Sequence, residues 1–275
     1  MIYTDHHVHT RFSPDSSADI ESYLLRAKAL GLTSVMFTDH ADFGTGDELF
    51  KDLIDYEGYF NHMKTLEKAY GIPIRVGVEV GYEKNHRGAI DEFLHRFDFD
   101  FVIASIHYGD GMDFYLGDFF YGKTQEEAYY RYFEILLEMV ENFTNYEVVG
   151  HLDYITRYGP FEQKKYRYRD FKEIIDEILK GIIARQRGIE VNTSGLRGLL
   201  GVTFPGEEVL RRYLELGGRT ITIGSDAHFN EDYYAGVLDE VDRLKALGYT
   251  GISAFEKRKE KFYPIEFKRK SLGYE

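Results

Sequence analysis

The 275-residue sequence carries ten histidines, and they are not scattered. His7 and His9 sit two apart near the start, while His40, His107, His151 and His228 each fall at or just beyond a short β-rich run. Glu79 ends another such run, and Asp226 precedes His228 by two positions. Side chains alternate along a strand, so His7 and His9 share one face and His6 takes the other. Neutral imidazole and carboxylate suit Zn, Mn or Fe, and a chain without cysteine offers no thiolate. His7, His9, His40, Glu79, His107, His151, Asp226 and His228 are too many donors for one four- to six-coordinate ion. Two or three adjacent divalent ions bridged by a carboxylate account for them. Such a centre acidifies water and clamps phosphoryl oxygens, which is metal-assisted hydrolysis. His62, His86 and His95, in helical patterns, read as ordinary histidines, as does His6.

The elements that must position these groups alternate between two periods. Strands are expected at Ile2–Val8, Thr33–Thr38, Pro73–Glu79, Phe99–Ile106, Tyr146–Gly150, Gly188–Asn192 and Arg219–Gly224. Amphipathic helices are expected at Ala18–Leu30, Glu57–Tyr70, Arg87–Phe97, Thr124–Phe143, Asp170–Arg187, Gly206–Leu216 and Glu231–Leu247. Gly31, Gly71, Gly188 and Gly248 read as helix stops just before the next strand. Seven βα units imply an α/β fold with a parallel sheet, either a closed or distorted barrel or an open doubly wound sheet. In both, ligands bind beyond the carboxyl ends of the strands, and in a barrel all those ends converge. The absence of a linker or low-complexity tract makes residues 1–275 one domain. It finishes in a β-hairpin within 251–267, around Lys257–Glu260. The basic cluster Lys257, Arg258, Lys259, Lys261, Lys268, Arg269 and Lys270 reads as a solvated turn and tail.

Composition narrows the function classes. Basic residues number 34 against 47 acidic, a net charge of −13, which argues against a general binder of nucleic acid or anionic membrane while leaving room for a local cationic phosphate pocket. With 43% hydrophobic and 29% charged residues, disorder is excluded as a class. No apolar run approaches the roughly 18–20 residues of a membrane helix, and the first residues lack a signal-peptide pattern, so a cytoplasmic location is expected.

Asp5-His6-His7-Val8-His9 resembles the D-x-H-x-H opening of the PHP (polymerase and histidinol phosphatase) superfamily. Thr38-Asp39-His40, Ser105-Ile106-His107 and Gly224-Ser225-Asp226-Ala227-His228 are similar to its later motifs, in order. The resemblance implies a distorted seven-stranded (β/α)7 TIM-like barrel with its metal site at the C-terminal ends of the strands. Gly77-Val78-Glu79, Gly150-His151-Leu152-Asp153 and the segment Glu190-Val191-Asn192-Thr193-Ser194-Gly195-Leu196-Arg197 look most like the histidinol-phosphate phosphatase branch. That implies His7, His9 and Asp226 on one ion, Glu79 bridging to a second held with His107 and His151, and His40 and His228 on a third. Asp15 stands where the family often has a histidine on that third ion. Asp5 and Asp39 are expected to orient ligand imidazoles by hydrogen bonds.

Arg157 and Arg197, just past the fifth and sixth strands, suit a phosphate dianion. The implied reaction is hydrolysis of L-histidinol phosphate to L-histidinol and phosphate, a step of histidine biosynthesis. A metal-bridging hydroxide would attack phosphorus, with Glu79, Asp226, Arg197 and Arg157 as the catalytic set. The partner is then a small phosphorylated substrate rather than a membrane or a long nucleic acid. Other readings are a PHP phosphoesterase acting on nucleotides or single-stranded nucleic-acid ends, and a non-catalytic metal-binding PHP module. An amidohydrolase barrel would also open with H-x-H, but would usually place a bridging lysine at a strand end, and none stands there.

Overall fold

A computed structural model describes residues 4–265. Its strands are β1 (Val35–Phe37), β2 (His40–Asp42), β3 (Ile74–Gly81), β4 (Phe101–Ser105), β5 (Tyr108–Gly109), β6 (Met112–Asp113), β7 (Val148–Val149), β8 (Gly188–Asn192), β9 (Ile221–Gly224), β10 (Gly251–Glu256) and β11 (Lys259–Pro264). Its α-helices are α1 (Ile20–Ala29), α2 (Tyr56–Tyr70), α3 (Arg87–Arg96), α4 (Gln125–Asn142), α5 (Ile155–Tyr158), α6 (Lys172–Ala184), α7 (Ser194–Arg197), α8 (Glu207–Glu215) and α9 (Val237–Leu247). A parallel sheet runs β1-β3-β4-β7-β8-β9, with β2 also paired to β3, and helices alternate with its strands along the chain. This is the TIM-like architecture expected from the repeated βα units.

Closure of the barrel falls to the first segment, which is barely a strand. His6 N donates to Ile223 O at 3.0 Å, Asp226 N to His7 O at 2.7 Å and His9 N to Ala227 O at 2.9 Å. On the other side Thr38 N donates to Val8 O at 2.9 Å. The segment expected at residues 2–8 therefore joins β9 to β1 but makes only the isolated bridge Val8–Ala227. Both neighbours break there: Thr38 and Asp39 separate β1 from β2, and Asp226 has a left-handed φ of 53°. Residues 2 and 3 of that expected strand lie outside the described residues.

Alternation along β4 divides the interior. Val102 and Ala104 belong to the main core shared with the helices, whereas Phe101 and Ile103 pack with Met36, Val148 and Phe255 in a separate cluster. Phe255 comes from the β10–β11 hairpin and stacks on Phe101 at 5.1 Å between ring centres. The hairpin therefore packs against the barrel's inner apolar cluster, on the N-terminal side of Ser105 and His107.

Several local expectations change. Gly31, Gly71 and Gly248 take left-handed φ as helix stops, but Gly188 does not. It begins β8, where a Cβ would meet Thr220 at 2.6 Å, and Gln186 makes the left-handed turn instead. Helix α9 starts at Val237 rather than Glu231, because Tyr234 and Gly236 take φ of 66° and 75°. Arg258 is not a solvated turn residue. Its Nε donates to Glu147 Oε1 at 2.9 Å, its Nη1 to Asn145 Oδ1 at 2.8 Å and its backbone N to Asp100 O at 2.9 Å. Lys268, Arg269 and Lys270, with the end of the expected hairpin, lie outside the described residues.

Glu147 is buried, so removing its guanidinium partner strands a carboxylate. Arg258→Ala should lower unfolding stability by about 2 kcal/mol, in the range of a hydrogen bond to a charged group. In denaturant titrations, Glu147→Gln combined with Arg258→Ala should cost less than the sum of the single changes. Additive costs would mean the pair is not coupled.

Candidate functional site

A cleft of about 370 Å³ opens at the carboxyl ends of the barrel strands. Asp15, His40, Glu79, His107, His151, Arg157, Arg197, Asp226 and His228 line it, and His7 and His9 are fully buried beside it. All the residues expected at the site are thus brought together. Parallel register sets His40 beside Glu79 on neighbouring strands. His151 and Asp226 follow β7 and β9 with positive φ of 21° and 53°, a backbone that non-glycine residues adopt sparingly and that surrounding bonds must hold.

Glu79 is the hub. Its Oε2 lies 3.2 Å from His7 Nε2, 3.4 Å from His9 Nε2 and 3.2 Å from His40 Nδ1. Its Oε1 lies 3.3 Å from His107 Nε2 and 2.8 Å from His151 Nε2, and accepts Ser105 Oγ at 2.6 Å.

The outer nitrogens of four rings are already committed. His7 Nδ1 donates to Glu190 Oε1 at 2.5 Å, and His107 Nδ1 to Asp42 Oδ1 at 2.8 Å. His228 Nδ1 donates to the Asp226 carbonyl at 3.1 Å. Ser13 Oγ spends its proton on Asp39 at 2.7 Å, so it accepts from His9 Nδ1 at 3.1 Å. A neutral imidazole that donates through Nδ1 presents a lone pair at Nε2. The His7 and His9 lone pairs then face each other at 2.9 Å, and that of His228 faces Asp15 Oδ2 at 3.0 Å. Lone pairs aimed at lone pairs and carboxylates are the donor set of a cation site. Three-residue groups able to hold an ion are His7–His9–Glu79, Glu79–His107–His151, His9–His40–His228 and His40–Asp42–His107. The first two share Glu79, as a bridging carboxylate requires.

Protons compete with a cation for these nitrogens. Burial opposes a charged His7, yet Glu190, Glu79 and Asp226 hold its pKa well above the usual value. Burial likewise opposes charge on His107, but Asp42 and Glu79 raise it to about 9. Burial, with His228 and His40 nearby, pushes His9 down to about 3. Burial would raise the Glu79 pKa, but His7, His107 and His40 hold it well below the carboxylate range. The cluster is a set of anions and imidazoles competing for positive charge.

The arginines lie on the wall of the same cleft. Arg157, on α5, has both terminal nitrogens 3.5 Å from Asp226 Oδ2 and bonds Ser194 Oγ. Arg197, closing α7, donates from Nη2 to Ser225 O at 2.9 Å and pairs Nε with Asp232 at 3.2 Å. Asp5 and Asp39 do not bond imidazoles as expected. Asp5 accepts the backbone N–H of Ser225 at 2.8 Å and of Tyr234 at 3.0 Å, and Asp39 takes Thr10 N at 2.7 Å and Tyr59 Oη at 2.6 Å. Asp39 reaches His9 only through Ser13. Glu190, Asp42 and Ser13, which do bond the rings, were not singled out. Period two offered a signal for two of them: Asp42 lies two after His40, and Glu190 is a lone acid inside an apolar strand. His6 turns to Thr4 O at 2.8 Å, His62 lies on α2, and His86 and His95 are exposed.

Residues 5–194 match the PHP domain family model. A histidinol-phosphatase of Lactococcus lactis subsp. lactis (strain IL1403) is 32% identical over 254 residues, covering 91% of this chain and 93% of that protein. A crystal structure of the histidinol phosphate phosphatase from Lactococcus lactis, complexed with Zn, L-histidinol and phosphate, superposes with a TM-score of 0.87 at 31% identity, covering 94% of this chain and 98% of that one. A solved structure from Listeria monocytogenes shares the fold, with a TM-score of 0.73 and 24% identity over 86% of this chain and 99% of that one.

A ligand that binds only the folded state raises its stability. Zinc added to metal-stripped protein should therefore raise the thermal midpoint. His95→Ala should keep that shift and Glu79→Gln should shrink it. An undiminished shift in Glu79→Gln, read by calorimetry, would remove the hub from the metal site.

Proposed function

The chain belongs to the PHP domain family, and from that premise we propose that it is a metal-dependent phosphatase that hydrolyses L-histidinol phosphate to L-histidinol and phosphate, a step of histidine biosynthesis. The observation that carries this reading is the convergence of imidazole lone pairs and carboxylates on Glu79, beside two guanidinium groups in one cleft. His7, His9 and Asp226 would hold one divalent ion and His107 and His151 a second, with Glu79 shared, and His40, His228 and Asp15 would hold a third. Zinc, which the Lactococcus lactis structure contains, is the first ion to test. Bound there, divalent ions supply Lewis acidity, neutralising phosphoryl oxygens and lowering the pKa of water.

The remaining work falls to the chain's own groups. Arg157 and Arg197 bring two fixed positive charges to the wall where the phosphate dianion would lie, and planar guanidinium matches its oxygens better than ammonium does. Each arginine is anchored to Asp226, one through the carboxylate and the other through its backbone carbonyl, at 3.4 Å for Arg197. Phosphate grip and metal ligation are therefore tied to one left-handed residue. Preorganised charge of this kind stabilises the transition state without reorganisation. An adjoining recess of about 230 Å³, lined by Asp47, Asp113, Phe50, Tyr108 and Tyr115, supports a leaving group that is both cationic and aromatic. Acids meet an ammonium there, and aromatic rings meet an imidazole.

Arg197→Ala should keep the metal complement, because guanidinium is not a ligand. It should lower kcat/KM for histidinol phosphate by about 10²-fold, since a charge-assisted bond is worth about 1.5–3 kcal/mol. Arg197→Lys should recover part of the loss. The wild type should prefer histidinol phosphate over p-nitrophenyl phosphate and nucleoside monophosphates. Faster cleavage of a nucleotide would keep a phosphoesterase and replace its substrate.

A further inference from the structure

Glu190 is a buried carboxylate in the middle of β8, and it spans two parts of the site. Its Oε1 takes His7 Nδ1 at 2.5 Å, and its Oε2 takes the backbone N of His151 at 2.8 Å and Asn192 Nδ2 at 3.2 Å. Space has been cleared for this reach: a Cβ on Gly224 would stand 2.4 Å from Glu190 Oε1 and 2.3 Å from the His7 Cβ. We infer that Glu190 is a positioning residue that sets two subsites of the metal cluster at once, aiming the His7 ring with one oxygen and fixing the His151 backbone with the other. This rests on the metal-site reading above.

Chemistry restricts the position to a carboxylate. With its Nε2 turned to the site, His7 must donate through Nδ1; the His151 amide and the Asn192 side-chain amide can only donate here as well. Three donors converge on one side chain, so both its terminal atoms must be acceptors. Glutamine has a single acceptor oxygen, and its NH2 would face a donor hydrogen whichever way it turned. The His151 contact carries further weight because that residue sits at a φ of 21°, and a sparsely populated backbone persists only where neighbours hold it. Carboxylate on the far nitrogen also raises the basicity of a ligand imidazole, and loss of such a partner typically costs about 10–100-fold in metal affinity.

The test uses the full zinc-loaded chain with a chelator of known zinc affinity as competitor. Glu190→Gln should release zinc about 10–100-fold more readily than the wild type. The rise in thermal midpoint that zinc confers should shrink in parallel. Glu190→Asp keeps both acceptors but is one methylene short, so its zinc affinity should fall between the two. Should the glutamine variant fail to fold, the aspartate variant carries the comparison alone. Wild-type zinc affinity and an unchanged zinc-dependent shift in a folded variant would overturn the inference, leaving Glu190 a purely structural acid. The phosphatase reading is judged separately: a wild type that ignores histidinol phosphate but loses zinc affinity on Glu190→Gln leaves this inference standing and removes the substrate.

Discussion

Five imidazole nitrogens lie within 3.4 Å of the two oxygens of Glu79, a carboxylate buried at the floor of the cleft. Burying so many polar atoms is unfavourable unless each is bonded or paired. Protons satisfy the set only in part: the surrounding carboxylates favour them on His7 and His107, while burial and the neighbouring His228 and His40 deny one to His9. A divalent cation displaces those protons and takes up the lone pairs and carboxylates together. The top of the barrel is organised around that need.

The rest of the fold serves it from outside. Helices and the main core hold the strands in register, so that β2 and β3 present His40 and Glu79 side by side. The hairpin β10–β11 packs Phe255 on the inner apolar cluster, and Arg258 fastens its turn to Glu147. At the strand ends, His151 and Asp226 take positive φ. Hydrogen bonds from Asp226 N to His7 O at 2.7 Å and from His151 N to Glu190 hold those turns. The first of these bonds joins the first segment to the end of β9 and the second joins the end of β7 to β8, so ring closure and site geometry share the same contacts. Among the described residues no helix is long and apolar enough to cross a membrane.

Much of this was legible in the sequence because the governing periods are short. Alternation put His7 and His9 on one face, and repeated strand–helix units put His40, Glu79, His107, His151 and Asp226 at strand ends that a parallel barrel must gather. Family resemblance added Asp15, whose carboxylate faces His228 and His40. Glu190 and Asp42 were harder, since their partners lie 183 and 65 residues away and period two marks the acid but not the ring it meets, while a loop serine such as Ser13 does not announce its bond to His9. Asp5 and Asp39 show the converse. Their place in the motifs suggested ring contacts, but the backbone N–H groups of Ser225, Tyr234 and Thr10 and the Tyr59 hydroxyl claimed their oxygens. Gly188 and Arg258 were misjudged for a similar reason, because close approach to Thr220 and pairing with Glu147 are tertiary facts that override local preference.

The most direct measurement is anomalous diffraction at the zinc edge from crystals of the zinc-loaded protein. More than one strong peak is predicted, one among His7, His9 and Asp226 and another between His107 and His151, both touching Glu79. A single peak, or peaks that leave Glu79 without a metal neighbour, would contradict the account.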